Sequence, residues 1–230
     1  MSPENLQIDI ASIKIAGWQK LSLIDYPGKM AAVIFLAGCN MRCHYCHNSH
    51  ILNAKQNQIS FASVLQELQQ RRTWLDAVVV SGGEPTLSSA LIPILKALRN
   101  LGLLIKLDTN GTRPEIVRRV VVNGLVDYVA LDVKAPASKH MVLTGMPING
   151  VLVTAQYLKS QKQVPYMLRT TLSPRLTQND LYEMGKTIIN GASCWQIQQC
   201  RIAGAYSAAE VKKMASKMKQ YARYIVVTGA

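Results

Sequence analysis

The chain has 230 residues, 49% hydrophobic and 17% charged, a balance that excludes a disordered or low-complexity protein. Five cysteines with three in one short loop are not a disulfide framework, the segment Met1–Asp9 has no basic and apolar leader pattern, and no apolar run reaches the roughly 18 residues of a membrane span, so a cytoplasmic protein is expected. The formal charge of +13 points to nucleic acid or to an acidic protein partner.

The first thirty residues stand apart, with 8–15 and 17–23 predicted as a hairpin and Asp25-Tyr26-Pro27-Gly28 as its following turn. From there strands and helices alternate. The run 31–37 is a strand, 61–72 a helix with Ser60 at its N-cap, and 77–80 a short buried strand. Helix 88–100 carries Leu91, Leu95 and Leu98 on one face and stops at Gly102. Strand 103–107 leads to helix 114–123, with Pro114 in its first turn. Strand 126–133, helix 150–161, strand 164–172, helix 178–190, strand 195–199, helix 208–221 and a short strand 224–227 complete the series. About six βα units fall short of the eight of a closed barrel. The predicted fold is therefore α/β, one domain over 1–230: an N-terminal hairpin extension over 1–28 and a partial (β/α)6 barrel over 29–230, with the site at the strand C-terminal ends.

Residues 38–50 read Gly-Cys39-Asn-Met-Arg-Cys43-His-Tyr45-Cys46-His-Asn-Ser-His, a CxxxCxxC spacing directly after the strand 31–37. A [4Fe–4S] cluster ordinarily takes four thiolates, so three leave one iron open, and an open position marks a catalytic metal site. The competing reading is a Cys₃His zinc site using His44, His47 or His50, as in a basic nucleic-acid-binding module. Against it stand the lack of a second CxxC knuckle and an aromatic content of only 6%, which leaves few stacking residues. Cys194 and Cys200 lie far from the loop and suit buried apolar positions.

Other candidates sit at successive strand ends. Ser81-Gly82-Gly83-Glu84-Pro85-Thr86 follows strand 77–80; its glycines allow close backbone approach and Glu84 offers a carboxylate. It is no P-loop, since no Gly-Lys-Ser/Thr follows. The next strands end Leu107-Asp108-Thr109-Asn110-Gly111 and Ala130-Leu131-Asp132-Val133-Lys134, and strand 164–172 carries Arg169, which needs an anion if buried. Alone, the aspartates could be helix caps or loop ion pairs, and Arg169 a surface arginine with an acidic neighbour.

Together these segments resemble the radical SAM superfamily. Tyr45 sits where that superfamily places an aromatic, and the GGEP run matches the segment that lines the methionine amino group of S-adenosylmethionine. The DTNG and LDVK segments resemble those of glycyl-radical enzyme activating enzymes. Trp18 through Lys29 and the loop ending Tyr45-Cys46-His47-Asn48 are similar to the short activating proteins of anaerobic ribonucleoside-triphosphate reductase, over about residues 15–175. The resemblance implies a [4Fe–4S] cluster on Cys39, Cys43 and Cys46. It implies S-adenosylmethionine held by Tyr45, Gly82, Gly83, Glu84, Asp108, Thr109, Asp132, Lys134 and Arg169. It further implies a monovalent cation, Na⁺ or K⁺, on Asp108, Thr109 and Asp132.

The chemistry so implied is reductive cleavage of S-adenosylmethionine to methionine and a 5′-deoxyadenosyl radical, which takes a hydrogen atom from a glycine Cα of a partner enzyme. The cofactor carries that chemistry and the protein binds and orients it. The partners expected are a glycyl-radical enzyme, anaerobic ribonucleotide reductase first, and a flavodoxin-type electron donor, with no membrane and no nucleic acid. The cluster of Lys212, Lys213, Lys217, Lys219 and Arg223 suits either a solvated helix face or a docking surface. A second enzyme reading is a 7-carboxy-7-deazaguanine synthase, which shares CxxxCxxC and GGEP; the DTNG and LDVK segments favour the activating enzyme.

Overall fold

The alternation of buried apolar runs with amphipathic segments builds an α/β fold with a mostly parallel central sheet, as predicted. The computed structural model describes residues 9–52 and 58–229. These fall into two units: one holds the chain up to Gly38 with 48–107 and 124–127, and the other holds 39–47, 108–123 and 128 onward.

The first unit contains β1 (Lys14–Ile15), β2 (Gly17–Ser22), β3 (Ala31–Leu36), β4 (Ile59–Ser60), α1 (Phe61–Arg71), β5 (Ala77–Gly82), α2 (Leu91–Arg99) and the start of β6 (Leu104–Thr109). Strand β2 runs antiparallel to β3, which is parallel to β5, which is parallel to β6. Continuous apolar runs are what a strand covered on both faces requires, and Val78, Val79, Val80 and Ile34 are fully buried. Helix α1 buries Phe61, Val64 and Leu68, spaced to lie on one face.

The hairpin expected here has different partners. Strand β2 pairs with β3, Trp18 opposite Ile34, while β1 pairs antiparallel with β4. The turn chemistry at 22–28 explains this: the Ser22 hydroxyl accepts the Ile24 and Asp25 amides, reversing the chain onto β3. Ile8, the first residue of the predicted hairpin, lies outside the described residues. Ser60 does occupy the α1 N-cap position, but its side chain makes no cap bond; the Phe61 amide instead donates to the Ile13 carbonyl at 3.0 Å.

The second unit takes Asp108–Thr109 of β6, then α3 (Pro114–Val122), β7 (Tyr128–Asp132), α4 (Ala137–Thr144), α5 (Asn149–Ser160), β8 (Tyr166–Leu172), α6 (Gln178–Met184), β9 (Ala192–Gln199), α7 (Ala208–Ser216) and β10 (Ala222–Thr228). Strands β7 to β10 lie side by side in chain order, all parallel. Their register sets Leu131, Leu168, Trp195 and Ile225 in one row. Trp195 is fully buried, and its indole N–H donates to the Thr170 hydroxyl at 3.0 Å, satisfying its polar atom. Capping boxes at Thr177/Asp180 and Ser207/Glu210 start α6 and α7.

Helix α4 has no counterpart in the sequence-based expectation. It buries His140, Leu143 and Thr144, so two of its three inward residues are polar and the apolar stripe is too thin to see. The predicted helix 178–190 changes at Gly185 into a π-helical turn, Gly185–Ile189. A Cβ on Gly185 would lie 2.4 Å from the Tyr221 ring, so the ring sits where any side chain would be. The helix predicted over 208–221 ends at Ser216, and β10 is longer than 224–227. Among the described residues, no helix is long and apolar enough to cross a membrane.

Candidate functional site

The three-thiol loop belongs to the second unit, and its alternation decides which side chains point in. Met41 and Tyr45 are buried, while Cys39, Cys43 and Cys46 are each half-buried. The loop is fixed by its own backbone: the Cys46 amide donates to the Cys43 carbonyl at 3.1 Å and the Arg42 amide to Thr144 of α4 at 2.7 Å. The Arg42 guanidinium donates to the carbonyls of Cys39 at 2.6 Å and Met41 at 2.9 Å. Burial pushes the Cys43 thiol up, against the opposing charge of Lys134. The Tyr45 phenol is likewise raised, first by burial. Its hydroxyl is buried and has no hydrogen-bond partner among the described residues.

The strand ends of the same unit supply charge. Register pairs Asp132 at the end of β7 with Arg169 on β8. The Arg169 guanidinium donates through Nε to Asp132 Oδ1 at 2.6 Å and through Nη1 to Asp108 Oδ2 at 3.0 Å. Lys134 Nζ donates to Asp132 Oδ2 at 3.0 Å. Burial raises the Asp132 carboxyl, but Arg169 and Lys134 outweigh it and hold the group well below the usual carboxylate range. Lys134 and Arg169 are held above their ordinary values, burial opposing and the aspartates prevailing. Sequence reasoning named all four residues; the structure brings them into one network, with Arg169 placed on both carboxylates. Thr109 is buried beside them in sequence, its hydroxyl accepting the Gly111 amide at 3.1 Å.

The GGEP segment belongs to the first unit. Gly82 ends β5 at φ +124°, and a Cβ there would lie 2.3 Å from the Leu36 carbonyl oxygen, so only glycine fits. Its own carbonyl accepts from Asn48 Nδ2 at 3.2 Å. The Gly83 amide donates to the Leu36 carbonyl at 2.9 Å, and the Glu84 amide to that of Gly38 at 2.8 Å. Glu84 is buried, and its Oε1 accepts the Thr86 amide at 3.0 Å and the Thr86 hydroxyl, capping the short 3₁₀ turn Pro85–Leu87.

The donor set suits a [4Fe–4S] cluster, in which each thiolate meets a different iron: three half-buried thiols, Cys39, Cys43 and Cys46, lie on one loop. His44, His47 and His50, the histidines a Cys₃His zinc site would draw on, are exposed. Of the two cysteines expected at buried apolar positions, Cys200 is buried just beyond β9, whereas Cys194 on β9 is only half-buried. Three residues of this region had no role in the sequence reading: Asn40, Asn110 and Thr112. Asn40 follows Cys39 in the chain; Asn110 and Thr112, some 70 positions on, are brought by the fold to Cys39 and Asn40 respectively.

A model of the radical SAM superfamily matches residues 33–188. The chain is 35% identical over 207 residues to a candidate glycyl-radical enzyme activating enzyme of Methanocaldococcus jannaschii, covering 87% of this chain and 85% of that one. It is 31% identical over 180 residues to the pyruvate formate-lyase-activating enzyme of Streptococcus mutans, covering 72% of this chain and 68% of that one. Among solved structures it is similar to SuiB of Streptococcus suis bound to S-adenosylmethionine, with a TM-score of 0.64 at 16% identity over 83% of this chain. The chain spans 44% of SuiB, and at that identity the likeness is one of fold.

Proposed function

Because the chain belongs to the radical SAM superfamily and to its glycyl-radical enzyme activating enzymes, we propose that it installs the glycyl radical of an anaerobic ribonucleotide reductase. The chain is a radical SAM enzyme, and its cofactors are a [4Fe–4S] cluster and S-adenosylmethionine. The observation that carries the reading is the second unit's pairing of a fixed three-thiol loop with a largely shielded network of Asp108, Asp132, Lys134 and Arg169, of which Asp108 is buried and the others half-buried.

Cys39, Cys43 and Cys46 would hold the cluster, which when reduced would supply an electron for cleavage of the S–C5′ bond of S-adenosylmethionine, the source of the radical chemistry at a glycine Cα of the partner. Every residue assigned here works by binding and orienting. Lys134 and Arg169 carry N–H groups suited to a carboxylate, and Asp108 and Asp132 hold their side chains in place. Gly82 and Gly83 offer backbone to the methionine amino group and Glu84 a carboxylate, while Tyr45 offers its hydroxyl. Na⁺ or K⁺ at Asp108, Thr109 and Asp132 would share both carboxylates with the Arg169 guanidinium. The setting is a reducing cytoplasm, and the electron donor is a flavodoxin-type protein.

The test is anaerobic activation. The cluster-loaded chain, S-adenosylmethionine and a reductant are incubated with anaerobic ribonucleotide reductase or with pyruvate formate-lyase, and the glycyl radical is read by electron paramagnetic resonance. A doublet on the reductase with matching 5′-deoxyadenosine is expected. A chain that activates pyruvate formate-lyase and leaves the reductase without a radical overturns the choice of partner. Unchanged S-adenosylmethionine affinity in both Asp108→Asn and Asp132→Asn would remove those residues from the site.

A further inference from the structure

We propose that Asn110 sets the reduction potential of the cluster through an N–H···S hydrogen bond to Cys39. The inference rests on the reading of Cys39 as a cluster ligand. Asn110 is 3% exposed and lies just past the end of β6. Its Oδ1 accepts the Thr112 amide at 3.0 Å and the Thr112 hydroxyl at 2.8 Å. A flipped amide would set N–H against the Thr112 N–H, so these bonds decide which end is the donor. The NH₂ therefore faces the cysteine loop, donating to Asn40 Oδ1 at 2.9 Å and approaching Cys39 Sγ at 3.9 Å. Asn40 closes the ring by donating to the Thr112 hydroxyl at 2.9 Å. The Met41 amide also donates to Cys39 Sγ, at 3.4 Å.

Cys39 thus faces the N–H dipoles of the Met41 amide and of the Asn110 side chain, the latter held in place by its bonds to Asn40 and Thr112. Among the described residues no side-chain amide faces Cys43 or Cys46 in this way. Hydrogen bonds to cluster sulfurs favour the more electron-rich, reduced state and raise the potential. The bond from Asn110 is long toward a thiol and tightens toward a thiolate, because charge-assisted bonds are shorter. Asn110 is a positioning residue in this scheme, acting on electron transfer through Cys39.

The experiment is a potentiometric titration of the reconstituted protein, following the reduced cluster by electron paramagnetic resonance, with Asn110→Ser and Asn110→Leu beside the wild type. Serine keeps an oxygen for the Thr112 amide in the same kind of turn but is too short to reach Cys39. Leucine keeps the volume without a donor. Both variants are expected to bind iron to the wild-type level while their midpoint falls. At a fixed poise the ratio of reduced to oxidised cluster then drops several-fold. If Asn110→Leu fails to fold, Asn110→Ser decides. An unchanged midpoint in a loaded variant overturns the proposal, and so does an Asn110→Ser protein that folds but takes up no cluster, since Asn110 would then be structural. A wild-type chain that binds no cluster would instead refute the ligand reading of Cys39.

Discussion

Replacing Arg169 by methionine removes one guanidinium and two charge-assisted hydrogen bonds, to Asp132 at 2.6 Å and Asp108 at 3.0 Å. The side chains involved are 17% (Arg169), 22% (Asp132) and 7% (Asp108) exposed, so little water replaces the lost donors. Breaking a buried pair from one side costs about 3–5 kcal/mol. Asp132 keeps its bond from Lys134 and some exposure, which brings the expected loss to about 2–3 kcal/mol. Urea unfolding of the cluster-free chain measures it. In the double variant Arg169→Met/Asp132→Asn the losses should fall short of additive by about 1–2 kcal/mol. The pH dependence has a definite sign. Asp132 is held below its ordinary value, so its contribution is complete above the unfolded value of about 4 and is lost as pH falls through the lowered folded value. Without Arg169 the folded value returns toward the ordinary one, and the loss of stability below about pH 4 becomes shallower. An Arg169→Met chain within about 0.5 kcal/mol of wild type, with an unaltered acid limb, would refute the view that this half-buried network is a coupled unit.

Other outcomes follow from the same geometry. Gly82→Ala should cost at least about 2 kcal/mol in thermal or urea unfolding, because φ is +124° and the new Cβ meets the Leu36 carbonyl at 2.3 Å. Gly38→Ala, at φ +82° with nothing within 4 Å, should cost less, and equal losses would sink the steric reason. Thr177→Ala removes a cap from α6 and should cost about 1 kcal/mol by the same measurement. Ala in place of Cys39, Cys43 or Cys46 should abolish cluster-dependent 5′-deoxyadenosine formation. Cys194→Ala and Cys200→Ala should keep the iron content, and a Cys43→Ala chain of normal rate would contradict the assignment. Lys212, Lys213 and Lys217 are exposed on or just past α7, so reduction by an acidic flavodoxin should slow from low to moderate salt. Charge reversal at those lysines should lessen that salt dependence, and a rate indifferent to both salt and reversal would leave the +13 charge without this role.

The sequence by itself determined what depends on neighbours along the chain. Three cysteines within eight residues must share one loop, and apolar runs between amphipathic helices must be covered on both faces, so the cluster loop and the α/β class were legible. Helical periodicity, with Gly102 and Pro114 as boundary residues, likewise located α1, α2 and α3 to within a few residues. Only the tertiary structure decided which distant groups meet. Asp108 and Arg169 lie 61 positions apart and Cys39 and Asn110 lie 71 apart, and nothing local in either segment encodes the other. The pairing of β2 with β3 and β1 with β4, the polar-faced helix α4, and the π-helical turn under Tyr221 were decided in the same way. Strand register and side-chain packing are long-range: a single shift of register would carry Arg169 to the other face of β8 and separate it from Asp132, leaving every local signal in the sequence unchanged.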